Sequence, residues 1–396
     1  MTKINQHKLV LFGAGKIGRS FIGQIFSRGG FEVVFIDVNK PVIDELNLRH
    51  NYKVVIKDDL ESVTTIENVR GVFGGDIEKV IAEVATSSIV AVSVGQNGLK
   101  SIIPLIAKGL IQRYDSADAT PLDIIIAENL RNAAEFMSQE LIQYLPEGYP
   151  LEERLGLIET SIGKMVPIML KNDMDEDILQ VFAEPYNTLI LDKLAFKNSI
   201  PDIEGLAPKD NMKAWVDRKL FIHNLGHATS VYLGLLEHPS AIFLYDVLAD
   251  NQVRENVRNT MLQAANILMK KYPEEFTTEA LIAHIDDLLS RFQNKALGDT
   301  LFRVGCDLMR KLSAEDRLAG AIHLARELKL PYDLILKALV CGCHFRATDE
   351  AGNQLPNDIE FGKLAEKGIA SVLTSVCGFD EIADQDLIAE AFRIDI

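Results

Sequence analysis

The spacing of hydrophobic residues changes character near the middle of this chain. In the first half, short apolar runs at 8–12, 32–36, 89–94 and 123–127 alternate with segments whose apolar residues recur every three or four positions. Runs of this length are typical of buried strands, and the wider spacing is typical of helices. Strands that alternate with helices predict a doubly wound, Rossmann-type parallel sheet. Further short strands are predicted between 50 and 72, where we expect them to decorate the fold.

The second half has helical periodicity almost throughout. Apolar residues spaced by three and four predict helices over 212–235, 240–271, 276–290, 315–328, 331–342, 359–376 and 380–394. The segment 195–211 before them has little periodicity and carries turn-forming Pro and Gly residues, so it predicts a connection between domains. We therefore expect an α/β domain over 1–200 and an all-helical domain over 201–396.

A glycine-rich turn follows the first predicted strand. In a strand–turn–helix context, Gly13 would make the tight turn, Gly15 would let the backbone approach a pyrophosphate, and Gly18 would pack the helix on the strand. The amides at the start of the helix would bind the anion. The predicted dinucleotide site consists of Gly13, Ala14, Gly15, Lys16, Ile17 and Gly18.

An acidic residue at the end of the second predicted strand indicates which dinucleotide binds. Asp37 lies about 20 residues after Gly18, where a carboxylate accepts hydrogen bonds from both ribose hydroxyls and repels a 2′-phosphate. Lys40 follows closely and could in principle hold that phosphate, but we expect Asp37 to dominate. NAD is the predicted cofactor, rather than NADP.

The ends of two later strands supply further candidates for the cofactor crevice. Ligands of open parallel sheets bind at the carboxyl ends of the strands. Val94 and Gly95 follow one predicted strand, and Glu128 and Asn129 follow the next. Glu128 could equally cap a helix, whereas Asn129 is favoured as a functional residue.

The helical half begins with a short segment rich in chemically active side chains. Residues 218–227 are RKLFIHNLGH, which places Lys219, Asn224 and His227 in the spacing Lys-x4-Asn-x2-His. On an α-helix that turns about 100° per residue, Asn224 lies about 140° and His227 about 80° around from Lys219. All three can face one pocket, as proton transfer beside a carbonyl requires. His223 falls in the same arc and could contact substrate or tune Lys219.

Composition and charge argue against several classes of function. A chain of 396 residues with 47% hydrophobic composition can bury more than one core. Its formal net charge of −16 argues against binding to nucleic acid or to an anionic membrane surface. No apolar stretch of about 18 residues and no signal-peptide pattern is present, so a cytoplasmic protein is expected.

The cysteines predict neither disulfides nor a metal site. There are four, with no Cys-x-x-Cys pair, and all lie in the last quarter of the chain. Cys341, Cys343 and His344 are close in sequence, but their spacing is tighter than that of zinc sites and they fall in a predicted packed helix. We expect no metal.

Five motifs together resemble the polyol-specific long-chain dehydrogenases, the mannitol dehydrogenase family. They are LFGAGKIGRSFIG at 11–23, IDVN at 36–39, AEN at 127–129, DRKLFIHNLGH at 217–227 and RKLSAEDRL at 310–318. The similarity covers nearly the whole chain. It implies a metal-independent hydride transfer between NAD and a sugar alcohol or ketose, here mannitol 1-phosphate and fructose 6-phosphate.

The resemblance also implies roles for individual residues. Lys219 matches the family's catalytic base, whose pKa must fall from about 10.4 toward neutrality, as burial would promote. Asn224, with Asn129 as a second donor, would polarise the developing alkoxide. His227 would orient Lys219 or hold a substrate hydroxyl.

A phosphorylated substrate requires local positive charge in this acidic protein. The C-terminal half supplies Arg291, Arg303, Arg310, Lys311, Arg317 and Arg346. Forked, charge-assisted hydrogen bonds suit such side chains to phosphate. The predicted substrate residues are Arg310, Lys311, Arg317 and Arg346. The alternative is that Arg310, Asp316 and Arg317 form ordinary ion pairs on a helix surface.

One segment departs from the family pattern. Where the family commonly has Val-Asp-Arg-Ile-Val-Pro-Pro, residues 162–168 are IGKMVPI, so Gly163 replaces an acid and Lys164 replaces an arginine. Lys164 keeps the charge but loses the bidentate fork, and Glu159 is the nearby carboxylate that could compensate. The departure leaves open a hexuronate reductase, a free-polyol dehydrogenase, or an NAD-binding sensor without turnover.

Overall fold

The computed structural model describes residues 4–58, 60–116, 120–130 and 132–394, apart from the side chain of Gln96. The chain divides into two compact units, Met1–Trp215 and Val216–Ile396. Within the described residues, no helix is long and apolar enough to cross a membrane.

The first unit is built on an eight-stranded sheet and a smaller three-stranded sheet. The strands are β1 (Asn5–Phe12), β2 (Glu32–Asp37), β3 (Asn51–Ile56), β4 (Ser62–Glu67), β5 (Val69–Phe73), β6 (Ser87–Val92), β7 (Leu122–Ile126), β8 (Leu155–Ser161), β9 (Val181–Ala183), β10 (Leu189–Asp192) and β11 (Leu206–Lys209). The larger sheet has the order β11-β10-β8-β7-β6-β1-β2-β5, and the smaller has the order β4-β3-β9.

The larger sheet confirms the predicted Rossmann-type architecture. From β8 to β5 every neighbouring pair is parallel, while β10 runs antiparallel to β8 and parallel to β11. The helices of this unit are α1 (Gln24–Arg28), α2 (Lys40–Arg49), α3 (Ile77–Thr86), α4 (Gln96–Tyr114), α5 (Ala133–Ile142), α6 (Leu151–Arg154) and α7 (Lys171–Glu176). A π-helical turn, Gly18–Gly23, precedes α1.

Both faces of the larger sheet are buried, as parallel strands require. Leu9 and Leu11 pack into one core with Phe21 and Ile25 from the first helical segment. The alternate residues of β1, such as Val10, pack into a second core on the opposite face with residues of α3 and α4. This two-sided burial explains why the strands are continuous apolar runs rather than alternating patterns.

The second unit is helical, as the periodicity predicts. Its helices are α8 (Met212–Arg218), which starts before the division, then α9 (Leu225–Glu237), α10 (Leu244–Leu248), α11 (Asn251–Lys271), α12 (Thr278–Phe292), α13 (Leu301–Gly305), α14 (Leu308–Lys311), α15 (Ala319–Leu328), α16 (Asp333–Cys343), α17 (Pro356–Ala365), α18 (Ile369–Ser375) and α19 (Gln385–Ile394). A π-helical turn, Lys219–Asn224, joins α8 to α9, and a 3-10 turn, Lys295–Leu297, follows α12.

Three local predictions were wrong. The segment 240–271 is two helices, because the Asp250 carboxylate accepts the amides of Gln252 and Val253 and starts α11 anew. The segment 359–376 is also two helices, separated at Gly368, whose φ of 104° a helix does not accommodate. The predicted connection 195–211 contains β11, which pairs with β10 at the sheet edge.

The glycine-rich turn after β1 is closely packed at two of its three glycines. Gly13 has φ of 100°, and a Cβ there would overlap the carbonyl oxygen of Ser93. A Cβ on Gly18 would overlap the carbonyl oxygen of Gly13, whereas a Cβ on Gly15 would meet no atom within 4 Å. The first and last glycines therefore serve packing, and the middle one leaves open space.

Alanine substitutions at Gly18 and Gly15 should have different effects on stability, because only Gly18 is closely packed. We expect Gly18→Ala to lower the free energy of unfolding by about 1–3 kcal/mol, because the turn must move to relieve the overlap. Gly15→Ala is the matched control and should unfold at the wild-type denaturant midpoint. Equal midpoints for Gly18→Ala and wild type in urea titrations would contradict this packing role.

Candidate active site

The carboxyl ends of the central parallel strands lie at one edge of the larger sheet. Phe12, the last residue of β1, pairs in register with Ile36 of β2 and with Val92 of β6. Val92 in turn pairs with Ile126 of β7. The predicted cofactor residues that follow these strands are therefore brought to a common edge. They are Gly13, Ala14 and Gly15 after β1, Asp37 at the end of β2, Val94 and Gly95 after β6, and Glu128 with Asn129 after β7.

The glycine-rich turn fits a dinucleotide. Gly15 and Lys16 are exposed, and the space beside Gly15 is open, as the approach of a pyrophosphate requires. Ile17 is half-buried and packs against the core, while Gly18 begins the helical segment. The structure thus separates the turn into an accessible part and a packed part.

Arg19 stabilises this turn through hydrogen bonds. The sequence analysis did not identify it. Its guanidinium is buried; Nε donates to the carbonyl oxygen of Ala14 at 2.7 Å, and Nη1 donates to that of Leu179 at 2.5 Å. The hydroxyl of Tyr52 donates to the carbonyl oxygen of Arg19 at 2.7 Å. Leu179 and Tyr52 lie far from Arg19 in sequence, so only its position directly after the glycine turn could have drawn attention to Arg19.

Asp37 lies where a ribose-binding carboxylate is expected. Its Oδ2 accepts the amide of Ala14 at 2.6 Å, and its Oδ1 accepts the amide of Asn39 at 2.8 Å. A carboxylate has about four acceptor sites, so each oxygen retains capacity for a further hydrogen bond. The half-buried side chain is thereby oriented by the backbone.

Glu128 makes hydrogen bonds of the helix-capping kind, which was the alternative to binding the cofactor. Its Oε1 accepts the amides of Val94 at 2.7 Å and of Gly95 at 2.8 Å, directly before α4. Burial raises the pKa of this carboxyl, and the two amides oppose that effect. Glu128 therefore shapes the loop after β6, and the exposed Asn129 beside it is the better placed of the two for a ligand.

The 162–168 segment, which departs from the family pattern, is hydrogen-bonded to Glu184 rather than to Glu159. Glu159 accepts the amide of Ala134 and serves the start of α5. Glu184, which is buried, accepts the amide of Met165 instead. Lys164 is also buried, and its Nζ donates to the carbonyl oxygen of Tyr186 at 2.8 Å. Lys164 therefore holds the 162–168 segment onto the loop between β9 and β10.

Lys219 begins a π-helical turn, so the angles expected for a regular α-helix were wrong. Hydrogen bonds from residue i to i+5 add a residue to the turn and bring Lys219 and Asn224, five apart, toward the same side. Lys219 is half-buried, and burial together with the Arg317 guanidinium lowers its pKa from 10.5 to about 8. Lys219 can therefore exchange a proton near neutral pH.

His227 lies three residues after Asn224, in the first turn of α9, where the charges of four cationic side chains act on it. Its ring stacks on Phe292 with centroids 4.6 Å apart, and its Nε2 is 3.3 Å from Oδ2 of Asp299. Burial, followed by the charges of Arg317 and Lys311, lowers the pKa of His227 to about 3. The imidazole is therefore neutral under ordinary conditions.

His223 is more buried than Lys219, Asn224 and His227. Its ring lies 6.2 Å from that of His227 and 5.6 Å from Phe292 in edge-on arrangements. Burial and the neighbouring His227 lower its pKa well below the usual value. These contacts favour a packing role for His223, and its contact with substrate stays a prediction.

Two of the four predicted substrate cations lie close to these residues. Arg317 is buried; its Nε pairs with Oδ1 of Asp316 at 2.8 Å, as the ion-pair alternative predicts, and its Nη1 donates to the carbonyl oxygen of Asn224 at 3.4 Å. Lys311 is also buried, donates to the carbonyl oxygen of Val304 at 2.7 Å, and has a pKa lowered to about 8 by burial and then by Arg317. Arg291 and Arg303 also contribute to the field at His227.

The other two predicted substrate cations have contacts elsewhere. Arg310 is exposed and pairs with Asp307 at 2.5 Å and Asp316 at 3.3 Å, which is the ion-pair alternative. Arg346 is exposed and donates to the carbonyl oxygens of Cys343 and Phe345 at the end of α16. These contacts give both residues structural roles, and their contact with substrate remains a prediction.

The cysteine-rich segment lies in α16. The side chains of Cys341 and Cys343 are buried in that helix, whereas His344 follows its end and is exposed. Among the residues that the structure describes, no group of three His, Cys, Asp or Glu side chains is arranged to hold a metal ion.

Sequence reasoning missed Asp299 and Phe292 in this cluster. Asp299 is buried and contacts both His227 and Arg303. The Asp299-x3-Arg303 spacing could have suggested an ion pair across one helical turn. Nothing in the sequence connects either residue with His227, because those contacts join distant segments.

Two family models match the chain. The mannitol dehydrogenase Rossmann domain matches residues 7–205, and the mannitol dehydrogenase C-terminal domain matches residues 211–395. The NAD-binding Rossmann domain predicted from the glycine-rich turn is confirmed by this match and by the sheet topology.

Two solved structures have a similar fold. A D-sorbitol dehydrogenase in substrate-free form is 18% identical with a TM-score of 0.81, over 99% of this chain and 92% of that chain. The Pseudomonas fluorescens mannitol 2-dehydrogenase, in a ternary complex with NAD and D-mannitol, is 16% identical with a TM-score of 0.73, over 99% of this chain and 91% of that chain. Since the two family models together span nearly the whole sequence, this chain belongs to the mannitol dehydrogenase family.

Proposed function

We propose that this protein is an NAD-dependent mannitol-1-phosphate 5-dehydrogenase that interconverts mannitol 1-phosphate and fructose 6-phosphate without a metal ion. The observation that carries the proposal is the half-buried Lys219 amine, with a pKa of about 8, among several arginine and lysine side chains. An amine poised near neutral pH suits proton exchange with a hydroxyl, and the surrounding cations suit a phosphate.

In the direction of oxidation, Lys219 accepts the proton of the reacting hydroxyl. Asn224 and Asn129 donate hydrogen bonds to the oxygen as negative charge develops on it. The neutral imidazole of His227 holds a substrate hydroxyl or orients the Lys219 amine. In the direction of reduction, the protonated Lys219 returns its proton to the oxygen.

The residues of the Rossmann domain hold the cofactor. The open space at Gly15 admits the pyrophosphate and Asp37 accepts hydrogen bonds from the ribose. When bound, NAD supplies the acceptor for the hydride. The carboxylate of Asp37 repels a 2′-phosphate, which is why we propose NAD rather than NADP.

Positive charge near the reacting groups supports a phosphorylated substrate. Arg317 and Lys311 are buried, and their charges reach His227 together with those of Arg291 and Arg303. Arg317 is paired with Asp316 in the structure, and a dianionic phosphate would add charge-assisted hydrogen bonds to both Arg317 and Lys311. We propose Lys311 and Arg317 as the principal phosphate-binding residues.

A free-polyol dehydrogenase is the second candidate. The two similar structures are a sorbitol dehydrogenase and a mannitol 2-dehydrogenase, and neither name refers to a phosphorylated substrate. Gly163, where the family pattern has an acid, is consistent with a different polyol substrate. A hexuronate reductase and an NAD-binding sensor without turnover are further alternatives that a substrate panel separates.

Substrate specificity should show in initial rates. With NADH and EDTA present, fructose 6-phosphate should be reduced with a kcat/KM at least about 100-fold above that for fructose, because two buried cations engage the phosphate. Loss of NADH absorbance measures the rate, and fructuronate tests the hexuronate alternative. Equal values for fructose and fructose 6-phosphate would remove the phosphate assignment, and NADH binding without turnover of any compound would indicate a sensor.

The base should show in the pH dependence of turnover. Lys219 must be neutral to accept a proton, so kcat for mannitol 1-phosphate oxidation should rise as pH passes through about 8. For reduction the protonated amine is needed, so kcat should fall over the same range. Lys219→Met should abolish turnover while NADH fluorescence still reports cofactor binding; retained turnover would exclude Lys219 as the base.

Arg317 should set the position of this pH profile. The substitution Arg317→Gln removes a positive charge near Lys219 and should therefore raise the pKa of Lys219. The rise in kcat for oxidation should shift to higher pH. Arg258→Gln is the matched control, because Arg258 pairs with Asp286 on the exposed surface between α11 and α12. Identical profiles for Arg317→Gln and wild type at saturating substrate would contradict the electrostatic role.

A further inference from the structure

Two loops of the Rossmann unit meet at the carboxyl edge of the larger sheet. Ile126 at the end of β7 pairs in register with Glu159 of β8, so the residues after β8 leave the sheet at the same edge as Asn129. Strand β10 is antiparallel to β8, and its Ile190 pairs with Ser161, so the residues before β10 lie at this edge too. Ligands of open parallel sheets bind at the carboxyl ends of the strands.

The strand order relates these two loops to the cofactor site. Asp37 at the end of β2 would hold the ribose, and the open space at Gly15 after β1 would admit the pyrophosphate. A dinucleotide held at these two points has its nicotinamide half on the side of β6, β7 and β8. Neighbouring strands are about 4.8 Å apart, so β8 lies about 14 Å from β1. The two loops are therefore on the side of the sheet where hydride transfer takes place.

A buried ammonium group holds the two loops together. Lys164 is buried, and its Nζ donates to the carbonyl oxygen of Tyr186 at 2.8 Å and to that of Glu184 at 3.2 Å. It also donates to Oδ1 of Asn187 at 3.1 Å. The carboxylate of Glu184 accepts the amide of Met165. These contacts offset the cost of burying the charge and fix the backbone at Tyr186.

The phenol of Tyr186 lies beside a glycine. A Cβ built on Gly163 would lie 3.6 Å from the hydroxyl oxygen of Tyr186 and 3.7 Å from its Cε1, which is ordinary van der Waals contact. A carboxylate carried on that Cβ would have the hydroxyl within reach. The half-buried phenol of Tyr186 and an acid at residue 163, where the family pattern has one, would therefore share one region.

We propose that Tyr186 is a specificity-determining residue whose phenol oxygen accepts a hydrogen bond from a hydroxyl group of the polyol or ketose. The proposal rests on the proposed function for the nature of the ligand, a polyhydroxy compound. A phenol oxygen accepts hydrogen bonds from hydroxyl groups, as a carboxylate does. Tyr186 thus supplies, from a neighbouring loop, an acceptor in the region beside Gly163.

Removing the hydroxyl alone tests the contact. In Tyr186→Phe, kcat/KM for the ketose that wild type reduces best should fall about 10-fold, mainly through a higher KM, because one hydrogen bond to the substrate is lost. The Kd for NADH, measured by fluorescence, should stay at the wild-type value. Wild-type kcat/KM in this variant, or a loss that comes from weaker NADH binding, overturns the proposal.

Tyr144→Phe is the matched control. Tyr144 is exposed and lies between α5 and α6, in the connection that leads to the amino end of β8. The same atom is removed at the opposite edge of the sheet, so kcat/KM and the Kd for NADH should both equal those of wild type. A loss in Tyr144→Phe as large as that in Tyr186→Phe would contradict a specific contact at Tyr186.

An acid placed at residue 163 tests whether the two groups share one region. In the wild-type background, Gly163→Asp should lower kcat/KM, because the carboxylate crowds the hydroxyl. In the Tyr186→Phe background, Gly163→Asp should raise kcat/KM for the same ketose, because the carboxylate can then accept the hydrogen bond. Effects of opposite sign show coupling between the two positions. A further loss in the double variant overturns the proposal.

Gly163→Ala is the control for backbone effects at this position. Its methyl group would be in ordinary contact with the phenol, so kcat/KM should stay within about twofold of wild type. A loss in Gly163→Ala as large as that in Gly163→Asp would place the effect in the backbone and contradict crowding of the hydroxyl by the carboxylate.

Binding without turnover separates this proposal from the proposed function. Mannitol 1-phosphate and mannitol cannot accept a hydride, so calorimetry can measure their binding to the NADH-bound protein. If wild type binds either compound but turns over none of the panel, the proposed function fails, and about 10-fold weaker binding in Tyr186→Phe upholds the contact. If wild type is active and Tyr186→Phe equals it, the contact fails and the proposed function stands. Absence of both binding and turnover refutes both.

Discussion

The crowding of positive charge around Lys219 and His227 is the constraint on which the helical unit's chemistry depends. Arg317 and Lys311 are buried, and each is held by a carbonyl oxygen, that of Asn224 or that of Val304. Such contacts offset part of the cost of removing a cation from water. The Nε of Arg317 also pairs with Asp316 at 2.8 Å. The charge of Arg317 nevertheless contributes to the lowered pKa values of Lys219 and His227.

That field acts on each titratable group in the same direction. It lowers the pKa of Lys219 to about 8 and that of His227 to about 3, in both cases with burial as the larger cause. A lysine becomes a base available near neutral pH, while a histidine becomes a fixed neutral hydrogen-bonding group. The same environment therefore separates the roles of the two residues.

In the Rossmann unit the corresponding constraint is close packing of loops at the sheet edge. The turn at Gly13 lies against the loop that begins with Ser93, so a side chain at Gly13 has no room. Polar groups left at this edge are engaged by side chains from other strands: Glu128 accepts two amides, and Asp37 accepts the amide of Ala14. The edge is thus preorganised, with open space beside Gly15.

Local sequence patterns were sufficient to predict most helices and strands and the candidate residues that lie within a single motif. Alternation of apolar runs and helical spacing predicted the doubly wound sheet and the helical half, because burial on two faces or on one stripe leaves a periodic signature. The same patterns wrongly predicted one continuous helix across Asp250 and another across Gly368. The apolar periodicity continues through these positions, although a helix cap and a positive φ interrupt the helices there.

The sequence alone determined the fold class, the family, and the candidates Lys219, Asn224 and His227, because each is encoded in short spacings. Only the tertiary structure decided that Lys219 begins a π-helical turn, that Arg317 lies beside it, and that Asp299 faces His227. The positions of Arg317 and Asp299 depend on contacts between segments far apart in the chain. Side-chain spacing within a helix contains no information about which distant charge will be packed against it, and that packing shifts the pKa values.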